Sequence, residues 1–292
     1  MSRPHQRAAE KQKQEEIFKK SQVLIEVKGR WHLKDGDPCK DLAKDMLLNH
    51  LSPEASYRHM GCGTLLNAKW VLTSAHLFSG SEKIEIKAFG KDHSFDAVFE
   101  VEGVRVVSVN SEESQRIRSF EINRVIVHHN FSGGSIVGDI ALIQLADELP
   151  VKCLNLPNKG EISNEPCKII GWGATDGDTS LASMRCENSI IVGTPDHLRD
   201  GDVNSDLFAI SNATHVSVRE GDSGGGLMCQ SGGEAYISGV LAGKFEDRED
   251  QAGPVCYTSV FSNLRWIKEQ MEIQRPKRAE EDSLITKSKE VL

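Results

Sequence analysis

The sequence has no long apolar run: none of its segments reaches the ~18 residues that a membrane-spanning helix needs. Its first twenty residues are polar and charged and contain no apolar core of a secretory signal peptide, which leaves an intracellular location open. The net charge of −8 comes without a basic face, which argues against nucleic-acid binding. The seven cysteines show no CxxC or zinc-type Cys/His spacing, so we expect no metal site and no cofactor.

What the chain does contain is a series of short strand-like segments. Its 292 residues suffice for one large or two small domains with a well-filled core. Between residues 21 and 272, short runs rich in Val, Ile and Phe are separated by turns with Gly, Asn and Asp. This pattern, with almost no long helical period, predicts an all-β barrel fold. Residues 1–20 are expected to form a polar arm, disordered or loosely helical, and residues 273–292 a charged tail.

One stretch, EGDSGGGLMC from Glu220 to Cys229, organises the rest of the chain. It places Ser223 between an acidic residue and three glycines. A serine hydroxyl needs a general base and a set of amide donors before it can attack a carbonyl. Gly221 and Gly224 free the backbone on both sides, so the amides of Gly221 and Ser223 can form an oxyanion hole. The alternative is a plain turn, because Gly, Asp and Ser are all turn formers.

Two further polar residues stand at the edges of apolar runs. His76 ends WVLTSAH, and Asp139 begins the apolar part of GDIALIQL. Taken alone, His76 is more often a structural histidine than a base, and Asp139 is more often a turn or cap residue. Together the three residues follow the order His, Asp, Ser, which is one of the known orders of a catalytic triad.

These stretches resemble the chymotrypsin-like (trypsin-like) serine protease family. GCGTLLNAKWVLTSAH, GDIALIQL, CKIIGWG, EGDSGGGLMC and PVCYTSVFSNLRWIKEQM occur in the order of that family's blocks. The resemblance covers roughly residues 22–271 and has Gly226 where proline is usual. It implies two six-stranded antiparallel β-barrels over about 21–148 and 165–260, followed by a C-terminal helix over 263–271.

The resemblance also implies an activity. Ser223 would be the nucleophile of a serine endopeptidase, His76 its general base and Asp139 the carboxylate that orients the base. The alternative is a catalytically weak or inactive protease-fold protein that binds or regulates. Peptides or proteins are the expected substrates, with protein inhibitors or an activating protease as further partners. A secreted location is what most family members would imply.

The cysteines match the family only in part. By resemblance, Cys167 and Cys229 form a disulfide in the second barrel. Cys62 matches another paired position, but Leu77 stands where its partner would be. No clear pairing is expected for the remaining cysteines, which are Cys39, Cys153, Cys186 and Cys256.

The activation segment and the specificity pocket depart from the family pattern. No IVGG-like sequence precedes Gln22, so Asp222 is expected to pair with another cation or with nearby amides; the remaining alternative is a poorly formed oxyanion hole. The resemblance places Ser217 at the base of the pocket, where no fixed charge awaits a basic side chain. Bulk at two walls should narrow the pocket, which would either favour small apolar side chains or close the pocket. These walls are formed by Ala242, Gly243, Lys244 and Val255.

Overall fold

The structure is a computed structural model of the chain. It describes residues 3–33, 57–88, 91–110, 115–133, 136–158, 167–173, 185–193, 207–211, 218–244 and 255–272. The expected charged tail over 273–292 and the pocket residue Ser217 lie outside this part, as do Cys39 and the side chain of Cys186.

The first half of the chain forms one antiparallel sheet, which we call the first sheet. Its strands follow the order β4-β5-β1-β2-β3-β8-β7, and β6 pairs with β5. Because β5 is 20 residues long, it pairs with β4, β1 and β6 along different parts of its length. The strands are β1 Gln22–Leu33, β2 Arg58–Asn67, β3 Trp70–Thr73, β4 Gly80–Ala88, β5 Lys91–Asn110, β6 Gln115–Phe120, β7 Ile122–Val127 and β8 Ala141–Leu145.

The second half forms a closed six-stranded barrel, which we call the second barrel, with the strand order β10-β11-β14-β13-β12-β9. Cys167 and Cys229 join β9 to β12 through a disulfide with Cα atoms 4.3 Å apart, which confirms the expected pair. The strands are β9 Cys167–Gly171, β10 Arg185–Gly193, β11 Leu207–Ser211, β12 Gly226–Ser231, β13 Glu234–Lys244 and β14 Val255–Ser259.

The alternation of β1 explains how the two halves meet. Val23, Ile25 and Val27 point to one face of the strand and pack in the core of the first sheet. Leu24 points to the other face and packs in a second cluster, which also contains Trp172 and Met228 from the second half. The first sheet therefore has an internal core on one side and a seam with the second barrel on the other.

A helix that the sequence pattern did not specify packs on the second barrel. The segment expected to be disordered or loosely helical forms a regular helix, α1 Arg3–Ser21, that leads directly into β1. Phe18 is fully buried in the cluster at the seam. Partial burial raises the pKa of Glu15, but the hydrogen bonds and charges of Lys168 and Lys19 lower it to about 2. Polar contacts with the second barrel therefore supplement the single buried aromatic ring.

The chain described here ends with a short amphipathic helix, α2 Leu264–Glu272. The amide of Ile267 donates to the carbonyl of Asn263, which opens the first turn, and Asn263 Nδ2 donates to the Ser259 carbonyl. Ile267 is fully buried in the cluster at the seam. The observed elements confirm the all-β fold with a C-terminal helix.

Candidate active site

His76 is positioned by an aspartate that contacts it twice. His76 follows the end of β3 and opens a single 3₁₀ turn, His76–Phe78. Asp139 Oδ2 lies 2.7 Å from His76 Nδ1, and Asp139 Oδ1 accepts a hydrogen bond of 2.8 Å from the His76 backbone amide. Both carboxylate oxygens thus contact one residue, which fixes the position of the histidine backbone and the plane of its ring.

Burial makes this arrangement electrostatically strong. Asp139 is 1% exposed, whereas the side chain of His76 is 33% exposed. From the second barrel, Thr258 Oγ1 donates a hydrogen bond of 3.0 Å to the Asp139 carbonyl, so both halves hold the aspartate. A buried carboxylate beside Nδ1 favours the tautomer that carries its proton there, which leaves Nε2 as the acceptor. No hydrogen bond to His76 Nε2 occurs within the part of the chain that the structure describes.

The serine stands on a tight turn between two glycines in the left-handed region. Gly221 has a φ of +88° and Gly224 a φ of +81°, which other residues rarely adopt. In this turn the amides of Asp222, Gly224 and Gly225 each donate to a backbone carbonyl. Among the described residues, the amides of Gly221 and Ser223 have no acceptor. Two donors are thereby left for an atom from outside the protein.

The backbone places Ser223 beside the segment that carries His76. The Ser223 carbonyl accepts a hydrogen bond of 2.7 Å from the Cys62 amide. A Cβ atom at Gly61 would touch that carbonyl and would lie 2.7 Å from Leu77 Cδ1, so Ser223 and Leu77 flank the same glycine. No hydrogen bond between Ser223 Oγ and His76 is found among the described side chains. Such bonds commonly tighten only when substrate binds.

The carboxylate that precedes the serine is held by backbone amides. Asp222 is 4% exposed and accepts hydrogen bonds from the Gly173 amide to Oδ1, at 2.6 Å, and from the Arg219 amide to Oδ2, at 2.8 Å. Gly171 and Gly173 leave the space that this carboxylate fills, since a Cβ atom on either glycine would collide with it. Of the two arrangements expected for Asp222, the structure contains the one with nearby amides.

The expected pocket walls lie on neighbouring strands. Lys244 pairs with Val255, and Gly243 pairs with Cys256, where β13 meets β14. Val255 is 5% exposed and packs in one buried cluster with Val218, a residue that the sequence analysis did not single out. Ala242 is also buried. Position 218 directly follows the expected pocket base, so its valine is the signal that could have identified this contact.

Two side-chain contacts that the sequence analysis did not predict reach the turn of residues 221–225, which we call the nucleophile turn because it carries the proposed nucleophile Ser223. His59 Nε2 lies 2.8 Å from the Gly221 carbonyl, and Cys62 Sγ donates to the same oxygen at 3.2 Å. The expectation that Cys62 stands opposite Leu77 is wrong, because the residue that faces Leu77 is Gly61. Successive residues of a strand point to opposite faces, so the neighbouring Cys62 side chain is directed to Gly221 instead.

Two further cysteines with described side chains, Cys153 and Cys256, are poor nucleophiles. Burial raises the pKa of Cys256 to about 12 and that of Cys153 to about 11, so both thiols stay protonated at neutral pH.

Within the described ranges there is no group of three or more His, Cys, Asp or Glu side chains suited to a metal ion. In the same ranges no helix is both long and apolar enough to cross a membrane.

Comparison with known proteins agrees with this geometry. A family model described as Trypsin matches residues 36–267. Chymotrypsin-like elastase family member 1 from Felis catus is 26% identical over 245 residues, which are 75% of this chain and 81% of that protein. A trypsin from Gallus gallus is 24% identical over 228 residues, covering 75% of this chain and 82% of that protein.

Tissue-type plasminogen activator from Sus scrofa is 27% identical over 236 residues, which are 71% of this chain. The chain spans 38% of the length of that relative. The Trypsin model, in contrast, extends from the connection before β2 into α2 and so includes His76, Asp139 and Ser223. This protein belongs to the Trypsin family of serine proteases.

Proposed function

We propose that this protein is a serine endopeptidase that hydrolyses peptide bonds through His76, Asp139 and Ser223. Ser223 Oγ attacks the peptide carbonyl carbon while His76 Nε2 takes the hydroxyl proton. His76 then gives that proton to the leaving amine, and an acyl-enzyme forms. In the second half, water attacks the carbonyl carbon of the acyl-enzyme while His76 Nε2 takes one of its protons. His76 then gives this proton to Ser223 Oγ as the bond between Oγ and the acyl carbon breaks and the acid product departs.

The observation that carries this proposal is the double contact between Asp139 and His76. A structural histidine needs a partner for its ring, but it does not need a buried carboxylate that also binds its backbone amide. That carboxylate stabilises the imidazolium formed when Ser223 loses its proton. With Nδ1 committed to Asp139, Nε2 is the nitrogen that accepts.

The amides of Gly221 and Ser223 supply the second part of the mechanism. When the carbonyl carbon becomes tetrahedral, its oxygen carries a negative charge that needs preorganised donors. These two amides have no acceptor among the described residues, and the left-handed conformation of Gly221 turns the chain at this point. They therefore form the oxyanion hole of the proposed enzyme.

The buried residues at the expected pocket walls support a preference for peptides with a small apolar residue before the scissile bond. Val255 and Val218 pack together in a buried cluster, so they occupy volume that a long side chain would need. A cation would require a buried carboxylate to offset its desolvation. Peptide or protein substrates outside the cell fit the family and the Cys167–Cys229 disulfide, which favours an oxidising compartment. Protein inhibitors and an activating protease stay predictions.

The second candidate function is that of a protease-fold protein that binds without catalysis. The observation in its favour is that Ser223 Oγ makes no hydrogen bond to His76 among the described residues. Reaction with a fluorophosphonate separates the two candidates, because this reagent modifies only an activated serine. We expect the wild type to be labelled and the Ser223→Ala variant to remain unlabelled.

The role of the aspartate is tested in the same assay with matched amide variants. Asp139→Asn should slow labelling and peptide hydrolysis at least about a hundredfold, the scale of a general base. Asp147→Asn removes an exposed carboxylate that lies 3.4 Å from Arg118 and should leave both rates unchanged. A folded wild type that neither reacts with the fluorophosphonate nor cleaves peptides would refute the proposed function.

A further inference from the structure

The carbonyl of Gly221 receives two side-chain contacts. His59 Nε2 lies 2.8 Å from this oxygen, and the Cys62 thiol donates to it at 3.2 Å. A carbonyl oxygen has two lone pairs, so two donors can saturate it. This oxygen belongs to the Gly221–Asp222 peptide, which lies in the chain between the two proposed oxyanion donors, the amides of Gly221 and Ser223.

Cys62 is itself held at its backbone. Its amide donates to the Ser223 carbonyl at 2.7 Å, and its carbonyl accepts a hydrogen bond of 2.7 Å from Thr73 Oγ1. Thr73 is the last residue of β3, and His76 follows three residues later. Cys62 thus connects the segment that carries the base to the turn that carries the nucleophile. Because its side chain is short and fully buried, the thiol has little freedom to leave the Gly221 carbonyl.

We propose that Cys62 is a positioning residue for the oxyanion hole. This inference rests on the proposed serine endopeptidase function and names a residue that acts on the same site. Glycine peptides rotate easily, because no Cβ restricts φ and ψ. Two donors on the Gly221 carbonyl oppose rotation of the Gly221–Asp222 peptide, so the amides of Gly221 and Ser223 keep a common direction. Cys62 contacts the Gly221 carbonyl and the Ser223 backbone carbonyl, so it acts through the backbone of the turn.

The thiol can be removed without disturbing the backbone contacts. Cys62→Ala deletes the Sγ donor but keeps the amide and carbonyl of residue 62. We expect kcat to fall about three- to tenfold while KM changes less than about twofold, since the oxyanion forms only on the way to the tetrahedral intermediate. Inhibition by a peptide aldehyde, which is bound as a tetrahedral oxyanion, should weaken by the same factor as kcat. Cys62→Ser restores a donor and should recover kcat to within about twofold of the wild type.

A matched control removes another thiol that lies near a carbonyl. Cys153 Sγ lies 3.7 Å from the Val151 carbonyl and packs, partly buried, against the core of the first sheet, whereas the nucleophile turn contacts other residues. Cys153→Ala should leave kcat, KM and aldehyde inhibition unchanged. Kinetics are measured on p-nitroanilides of tripeptides ending in Ala or Val, with active enzyme titrated by fluorophosphonate, so that loss of folded protein does not lower the apparent kcat.

Hydrogen exchange gives a readout that does not depend on catalysis. In Cys62→Ala, amides of the peptide covering residues 219–227 should exchange at least about threefold faster than in the wild type, whereas Cys153→Ala should match the wild type there. If the wild type is labelled and active but Cys62→Ala behaves like Cys153→Ala, the inference about Cys62 is wrong and the proposed function stands. If the wild type is not labelled, the proposed function is wrong, and unchanged exchange in Cys62→Ala would also refute the positioning of Gly221.

Discussion

Replacement of Asp222 by asparagine tests how the nucleophile turn is held in place. The two oxygens of Asp222 each accept one backbone amide, from Gly173 at 2.6 Å and from Arg219 at 2.8 Å. Asparagine has one oxygen and one NH2 group, so only one of these amides keeps an acceptor. The other amide faces a donor in a site that is 4% exposed.

The magnitude follows from these two contacts. A hydrogen bond to a charged group contributes about 1.5–3 kcal/mol, and a buried amide left without an acceptor costs about 1–3 kcal/mol. Because the remaining bond also loses its ionic character, we expect Asp222→Asn to lower the free energy of unfolding by about 3–5 kcal/mol. That is a large fraction of the ~5–15 kcal/mol that stabilises a typical protein domain. The turn should also lose its shape, so fluorophosphonate labelling should slow at least about tenfold.

Urea unfolding followed by tryptophan fluorescence measures this change. Trp172 is a suitable reporter, since it is 1% exposed and lies between the two glycines that contact Asp222. Glu220→Gln is the matched control: it removes an exposed carboxylate two residues away and should change the free energy of unfolding by less than about 0.5 kcal/mol. If Asp222→Asn stays within about 1 kcal/mol of the wild type, backbone amides do not hold this carboxylate.

Three further outcomes are expected. The protein should cleave peptides after Ala or Val with a higher kcat/KM than after Arg, because the buried Val255 stands where the family resemblance places a pocket wall; the reverse order in a substrate panel would refute this account of the pocket. Gly61→Ala should destabilise the protein by about 1–3 kcal/mol and slow labelling, since its Cβ meets the Ser223 carbonyl, whereas Gly133→Ala meets no atom within 4 Å; equal unfolding midpoints would contradict it. Burial lowers the pKa of His128 from 6.5 to about 4, with a smaller contribution from the neighbouring His129. As the pH falls, the unfolded chain therefore takes up a proton at His128 before the folded protein does, so the free energy of unfolding decreases between about pH 6.5 and about pH 4. His128→Asn should remove about 2 kcal/mol of that loss, measured by urea unfolding at a series of pH values. If the free energy of unfolding changes with pH in the same way in the variant and the wild type, this account of His128 is wrong.

Local patterns and the family resemblance were sufficient to predict much of the fold and the contact between His76 and Asp139. The apolar run after Asp139 predicted a buried strand, and β8 is buried along its whole length. The Cys167–Cys229 pair followed from the family resemblance, and the structure contains it. Strand alternation is a short-range signal, so it survives in the sequence even where the tertiary contacts are unknown.

Features that depend on distant partners could not be predicted in this way. A shift of one residue exchanges the two faces of a strand, which is why Cys62 was expected opposite Leu77 while Gly61 takes that place. The role of Val218 depends on Val255, which belongs to a strand 37 positions further along the chain (255 − 218). The segment of α1 is mostly polar, and among its described side chains Phe18 is the one fully buried apolar residue, so it gives no periodic signal.

The position of α1 has a consequence for the order of events during synthesis. Gln14 donates to the carbonyl of Gly233, 219 residues later in the chain. At the usual ~5–20 residues per second, a ribosome needs about 10–45 s to make the intervening chain. During that interval Phe18 has no barrel to cover it, so the helix is an early candidate for chaperone binding. Contacts so distant in sequence also form slowly, and attachment of α1 is therefore expected to be a late folding step that follows release of the complete second barrel.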